Sequence, residues 1–412
     1  MSKATVILAA LLLGIALGIL FDTGHGELTE AADVIGTLWL NGLRMTVVPL
    51  VVALLITGIA QTAAAARAGK LAFRAVLTMI TILWCSASMA AFVTPALLSA
   101  FPMPVEAGAA LKLALSSAPS TGEVKPFSEF LRAIVPTNPF AAAASDAILP
   151  LIIFTTAFSF AILRLPDGKR TLITGFFEAV GDAMLIVINW VLAIAPIGVF
   201  ALAYVVGAKA GTAALGALAH YVAIVTATGT VVWIASFFVA AIGARRGPFQ
   251  FFRAAIPAQA VAISTQSSLV SLPAMLKGVT ALGVPPATAD LVLPVAVAIF
   301  RATGPAMNLA VAIYVAHWMG IELTPWALAA GVAAAATTTI GAVSLPGTVS
   351  FVTSIAPISI AMGLPVEPLA LLIAVETFPD IMRTLGNVTM DMAVTATISE
   401  RAGDKHGEEV GL

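Results

Sequence analysis

Charge is what this chain has least of. Asp, Glu, Lys and Arg make up only 10% of its 412 residues, against about 25% in soluble domains. Hydrophobic residues make up 60% and the mean hydropathy is +1.04. That balance excludes a set of soluble domains and leaves a polytopic membrane protein. The formal net charge of -1 provides no basic field for a nucleic acid partner. Cysteine is nearly absent as well. Cys85, alone in an apolar run, cannot form an internal disulfide and is expected in core packing. His25, His220, His317 and His406 lack metal-ligand spacing and are expected at surfaces or interfaces. Lys3 is followed by an apolar run to Phe21 with Asp22 behind it, which reads as a first span rather than a cleavable leader.

What is present in quantity is long apolar runs. They fall at about 4–21, 34–61, 71–100, 138–163, 171–208 and 212–242, each close to or beyond the roughly 20 helical residues that cross a hydrocarbon core. From there to about 402 the chain stays apolar but is broken by Pro257, Pro273, Pro285, Pro286, Pro294, Pro305, Pro346, Pro357, Pro365 and Pro379, which straight helices do not tolerate. Alternate loops are basic: Arg67, Lys70 and Arg74, then Arg164, Lys169 and Arg170, then Arg245, Arg246 and Arg253. The bias places the N-terminus and the loop near 245 in the cytoplasm, and the charged tail from Glu400 is a short frayed end. The longest polar interval, 101–132, reads as an extracytoplasmic connection.

Against so apolar a background, residues 376–391, E-T-F-P-D-I-M-R-T-L-G-N-V-T-M-D, stand out. Glu376, Asp380, Arg383, Asn387 and Asp391 recur at intervals of four, three, four and four, which stacks them on one helical face. A charge at the bilayer centre costs at least about 2.5 to 3.5 kcal/mol, so such residues face protein or water and mark substrate or ion paths. The competing reading, an Asp380–Arg383 pair that glues two helices together, does not need this many charges.

Two Ser-Leu-Pro triplets, Ser271-Leu272-Pro273 and Ser344-Leu345-Pro346, each sit midway through a broken apolar segment. Each is expected to turn a helical hairpin at membrane depth, which is tolerable only against protein or a cavity. After each comes a run with a central R-x-x-G: Arg301 to Gly304 within a helix expected over 287–320, and Arg383 to Gly386. A duplicated hairpin-plus-charged-helix unit points to a transporter's midplane site. A channel pore and an intramembrane serine hydrolase are the competing classes. Paired gates favour alternating access, and no His lies near Ser267, Ser268 or Ser344 in sequence to activate a nucleophile.

With these motifs the chain resembles the dicarboxylate/amino acid:cation symporter family, the glutamate transporter homologues. The likeness rests on I-V-P-T-N-P-F at 134–140, A-P-I-G-V-F-A-L at 195–202, S-S-L-V-S-L-P at 267–273, S-L-P-G at 344–347 and D-I-M-R-T-L-G-N-V-T-M-D at 380–391. It implies an all-α fold of about eight transmembrane helices plus two re-entrant hairpins, inverted repeats, a homotrimer and an elevator motion in the cell's inner (plasma) membrane. The implied division is scaffold helices 1 and 2 over 1–70, transport-domain helix 3 and the extracytoplasmic loop over 71–136, and scaffold helices 4 and 5 over 137–210. Transport-domain helix 6 follows over 211–250, the transport core over 251–402 and a cytoplasmic tail over 403–412.

By resemblance, Asp380 takes the substrate's amino group, Arg383 its side-chain carboxylate, and Thr384 and Asn387 its polar neighbours. Ser267 and Ser268, with backbone groups near Leu345 and Gly347, close the site. The guanidinium's planar fork suits bidentate carboxylate binding on physical grounds alone. Family members for plain dicarboxylates lack the aspartate and those for neutral amino acids lack the arginine, so the expected substrate is aspartate or glutamate. A dicarboxylate transporter of the same fold, or an anion-conducting member, is the alternative. Where the family's seventh helix carries an N-M-D-G-T type sequence for sodium, this chain reads Phe300-Arg301-Ala302-Thr303-Gly304. Two expectations stay open. Either Arg301 is a tethered cation, with coupling to a proton through Glu376, Asp380 or Asp391 or no coupling at all, or Arg301 pairs with substrate or snorkels and sodium, the one candidate cofactor, binds at Asn387 and Asp391.

Overall fold

The computed structural model describes residues 3–21, 26–67, 69–103, 135–145, 147–341 and 347–402, and every regular element among them is helical. Loop 104–134, the second Ser-Leu-Pro tip with Leu345, and the tail lie outside the described residues.

Several expected single spans are split, and proline explains where. After α1 (Lys3–Phe21), the run at 34–61 forms two helices, α2 (Glu27–Arg44) and α3 (Val47–Arg67). α2 starts ahead of the apolar pattern because Glu27 and Glu30 sit in its first turn, where free amides favour acids. Pro49 falls in the first turn of α3, where its missing N–H costs nothing. α4 (Lys70–Ala100) runs unbroken despite Pro95. The run at 138–163 becomes α5 (Pro139–Ala144) and α6 (Ile148–Leu163). Asn138 caps α5 by accepting from the amides of Phe140 at 2.9 Å and Ala141 at 3.2 Å. The run at 171–208 is also two helices, α7 (Asp167–Ala193) and α8 (Ala195–Ala210), divided at Ile194 just before Pro196. α9 (Ala213–Phe238) ends in a π-helical turn, Val239–Gly243.

The second half is a series of interrupted helices. α10 (Pro248–Thr265) and α11 (Ser268–Ala281) pack against each other as a hairpin, turned at Gln266 with a left-handed φ of 51°. The helix expected over 287–320 is broken at 300–302 into α12 (Pro286–Ile299) and α13 (Thr303–Met319). α14 (Pro325–Gly341) and α15 (Gly347–Ala361) form a second packed pair. α16 (Glu367–Leu372) and α17 (Thr377–Ala402) follow, so Glu376 precedes the last helix instead of lying inside it.

α17 is the buried axis, enclosed by α9, α10, α11, α12 and α13. α13 is almost as deep, with every residue but His317 buried. Away from this bundle α1 lies along α8, and α3 packs on α6 and α7. A Cβ at Gly14 or Gly18 would collide with the carbonyls of Phe200 and Tyr204, so this G-x-x-x-G lets two backbones touch where lipid tails give apolar side chains no drive to associate.

Five stretches among the described residues are long and apolar enough to cross a membrane, Glu27–Arg67, Lys70–Ala100, Asp167–Ala193, Ala214–Gly243 and Pro286–Met319, and shorter apolar helices accompany them. Large apolar side chains such as Phe92, Phe140 and Ile242 face outward. Cys85 does too, which corrects its expected place in the core: it lies on the outer side of α4, beside buried Ser86.

Candidate functional site

The charged stripe is buried protein. Asp380, Arg383, Thr384 and Asn387 are each 5–7% exposed, and Asp391 is fully buried. The helix can carry them because α17 is surrounded on all sides, so its polar face meets other helices and not lipid.

Arg383 organises the upper part. Its Nη1 donates to Asp380 Oδ1 at 2.9 Å and to Glu376 Oε1. The non-helical residues 373–376 ahead of α17 make the second bond possible, because they turn Glu376 back over the helix start. Tyr221 of α9 donates to the other Glu376 oxygen at 3.3 Å. Nε and Nη2 of Arg383, the side-on fork of the guanidinium, are buried and have no hydrogen-bond partner among the described residues. The Thr384 hydroxyl donates to the Asp380 carbonyl at 3.0 Å.

Lower down, α13 is clamped to α17 through Thr303. Its amide donates to Asn387 Oδ1 at 2.9 Å, and its hydroxyl proton is shared between Asn387 Oδ1 at 2.6 Å and the Arg383 carbonyl at 2.7 Å. Because a backbone N–H needs an acceptor, these bonds fix which Asn387 side-chain atom faces α13. A Cβ at Gly386 would strike the Thr303 methyl, so the second R-x-x-G glycine is what permits the approach. From α10, Gln259 Nε2 donates to Thr389 Oγ1 at 3.0 Å.

Arg301 stands in the interruption between α12 and α13, partly buried, within electrostatic reach of Asp380, Asp391 and Arg383. The break is held from α4, whose Ser86 hydroxyl donates to the Ala302 carbonyl at 2.5 Å. Both Asp391 carboxylate oxygens lack a hydrogen-bond partner among the described residues.

Thus the structure brings together Glu376, Asp380, Arg383, Thr384, Asn387, Asp391 and Arg301. Ser267 and Ser268 sit partly buried at the turn between α10 and α11, where Ser267 caps α11 by accepting from the Val270 amide at 3.3 Å. No hydrogen bond joins either serine to the stripe among the described residues. Leu345 lies outside the described residues, and Gly347 opens α15. Sequence reasoning missed Thr303, Ser86 and Tyr221. Thr303 lies inside the R-A-T-G that had drawn notice for its arginine, whereas a lone Ser or Tyr in an apolar run carries no local signal. No group of three or more His, Cys, Asp or Glu side chains suited to a metal ion occurs among the described residues. His220, half-buried, is held between the Tyr314 hydroxyl at 3.0 Å and the Phe101 carbonyl at 2.8 Å.

Comparison with known proteins finds sequence matches over nearly the full length. The sodium:dicarboxylate symporter family model matches residues 5–401. The proton/sodium-glutamate symport protein of Bacillus subtilis is 31% identical over 97% of this chain and 92% of its own length. The proton/glutamate-aspartate symporter of Escherichia coli is 28% identical over the same shares. A C4-dicarboxylate transport protein of Leptothrix cholodnii is 24% identical over 95% of this chain and 87% of its own length. The chain belongs to the sodium:dicarboxylate symporter family.

Proposed function

We propose that the chain is a secondary transporter of the plasma membrane that carries acidic amino acids, aspartate or glutamate, by alternating access at the α17 site. The observation that carries this is the open fork of Arg383. One nitrogen anchors the guanidinium to Glu376 and Asp380, while Nε and Nη2 are buried, coplanar and without a partner among the described residues, the geometry that takes a carboxylate through two parallel bonds. Asp380, one helical turn away, suits the substrate's ammonium group, and Asn387 and Thr384 lie on the same face. The work is binding and translocation rather than covalent chemistry, as the relatives' names as symporters accord with.

The same reading takes α10–α11 and α14–α15 as re-entrant hairpins whose turns gate the site, with Ser267, Ser268, Leu345 and Gly347 at the gates. It takes α1, α2, α3 and α5–α8 as a scaffold for trimerisation, against which the bundle around α17 moves as an elevator, with both termini cytoplasmic. The separate packing of α1 on α8 and of α17 within its own ring of helices supports that division.

A second reading is a C4-dicarboxylate as substrate. It is favoured by the Arg383–Asp380 bond, which weakens the pull of Asp380 on an ammonium group. Uptake of labelled aspartate into proteoliposomes, with competition by glutamate, succinate and malate, separates the two. Arg383→Ala should lower acidic-substrate transport by about 100-fold or more, the usual consequence of stripping one partner from a buried charge pair, and Arg383→Lys should also be damaging because the fork is gone. Normal aspartate and glutamate uptake by Arg383→Ala would overturn the assignment.

A further inference from the structure

The outward face of α10 is apolar and exposed. Phe249, Phe252, Ile256 and Ile263 are between 36% and 68% exposed. They recur at intervals of three, four and seven, which puts them on one side of the helix, while its other side packs on α11 and α17. At 1.5 Å per residue the stripe runs about 21 Å, more than half of a hydrocarbon core about 30 Å thick.

Basic residues gather at the head of that stripe. Arg253 lies on the same face, with its guanidinium carbon 4.7 Å from the centre of the Phe249 ring, so the ring holds the charge where the apolar surface begins. Lys277 reaches the same level from α11, whose Gly278 comes so close to α10 that a Cβ there would meet the Ala254 carbonyl at 2.6 Å. Arg245 stands at the turn before α10 with a left-handed φ of 54°, a conformation that glycine usually occupies at a helix end. All three are exposed, and none forms an ion pair among the described residues. The acids at this end are Glu400, 3.8 Å from Arg246, and Asp290 on α12. With Arg246 and Arg401, five bases stand against these two acids, so the rim attracts anions.

Charge and stripe together select the anion. A soluble phosphate would meet the bases and leave the phenylalanines and isoleucines uncovered, whereas an acidic phospholipid covers both. The basic bias of this end also assigns it to the cytoplasmic side, where acidic lipids give the membrane a negative surface potential.

We propose that Arg245, Arg253 and Lys277 bind the phosphate headgroup of an acidic phospholipid whose acyl chain lies along the α10 stripe. The bound lipid holds the α10–α11 hairpin, and the bundle around α17 with it, at headgroup level, so acidic lipid slows transport. That last step rests on the transport reading above, whereas the lipid site does not.

The first test is thermal unfolding of the purified full-length protein in neutral detergent. Added phosphatidylglycerol should raise the wild-type midpoint by about 3 °C or more beyond phosphatidylcholine with the same chains. R245Q/R253Q/K277Q should lose that difference while unfolding within about 2 °C of wild type in phosphatidylcholine, because all three side chains are exposed. No difference in the wild type, or an equal one in the variant, overturns the proposal. Should the triple variant fail to fold, Arg253→Gln alone should lose at least about half of the difference, and an undiminished one overturns it just as well.

Two controls separate lipid from free anion. Inorganic phosphate should give no rise, and a rise equal to that from phosphatidylglycerol overturns the lipid assignment. F249S/F252S keeps every base and should lose most of the difference. Full retention would mean that the stripe takes no acyl chain.

Finally, aspartate uptake into phosphatidylethanolamine vesicles should slow by about twofold or more when about a third of the lipid is phosphatidylglycerol, and the triple variant should show no such change. Equal wild-type rates in the two vesicles overturn the hold on the bundle. Absence of uptake of aspartate, glutamate and succinate in both would sink the transport reading instead, with the unfolding experiments still judging the lipid site.

Discussion

Two interrupted helices run through the core, α12–α13 and α16–α17, and their gaps use one backbone device. A helix stops, a charged residue stands in the gap, and the next helix opens with a proline in its first turn, Pro305 in one case and Pro379 in the other. Proline has no N–H to join a continuous helix, so the carbonyls before it are released for other partners. What fills the two gaps differs in sign. The first holds Arg301 and the second Glu376. Glu376 is satisfied within its own segment by Arg383, seven residues on, whereas the gap that holds Arg301 is tied to a different helix through Thr303. The repeat thus conserves backbone geometry without conserving charge, and an ion preference cannot be carried from one gap to the other, or from one family member to the next, on fold alone.

The comparison can be broken most effectively at Thr303, the residue that ties the first gap to α17. Thr303→Val keeps the shape and the amide bond to Asn387 but removes the hydroxyl shared by Asn387 Oδ1 and the Arg383 carbonyl. Hydrogen bonds within membrane proteins average about 0.6 kcal/mol and reach about 1.7, and this buried one should lie near the top of that range. The expected outcome is a midpoint lowered by a few degrees, with Thr303→Ser close to wild type. Equal stability of Thr303→Val and wild type would show that packing at Gly386 and not the clamp joins the helices.

Ser86→Ala comes next, at about 1 kcal/mol. It releases the Ala302 carbonyl from α4 and should loosen the first gap without touching the second. Hydrogen exchange at the amides of residues 300–306 against 373–379 would read this directly. Faster exchange in both segments alike would mean that the gaps are mechanically coupled and that treating them as separate devices is wrong.

How much of this was legible beforehand follows the range of each signal. The polar stripe was readable because helical spacing is local: Asp380, Arg383, Asn387 and Asp391 share a face and all are buried. The α10–α11 hairpin was readable from small polar residues amid apolar ones, although its turn falls at Gln266, ahead of the Ser-Leu-Pro that drew attention to it. The breaks at 194, 300–302 and 373–376 were not placed, even though Pro196, Pro305 and Pro379 were all present. Hydropathy integrates over a span and does not register a proline that is tolerated in a first turn. Cys85 was misplaced because an apolar run inside a bilayer gives no sign of which face meets lipid. Ser86, Thr303 and Tyr221 act across separations of 216, 84 and 155 residues. No local pattern encodes contacts that distant.

The smallest expected effect lies at the second gap. Tyr221→Phe removes only the 3.3 Å bond to Glu376 Oε2 and keeps the ring edge-on to Tyr314, with centroids 5.3 Å apart. If Arg383 is what holds Glu376, the loss should be about 0.5 kcal/mol, a shift in midpoint of roughly 1 to 2 °C, and aspartate affinity should change little. A loss well above 1.5 kcal/mol would exceed what one long bond can supply. It would mean that the acid in the second gap is positioned from α9, a different helix, as the first gap is clamped across helices through Thr303. The contrast between a gap satisfied within its own segment and a gap satisfied from outside would then disappear.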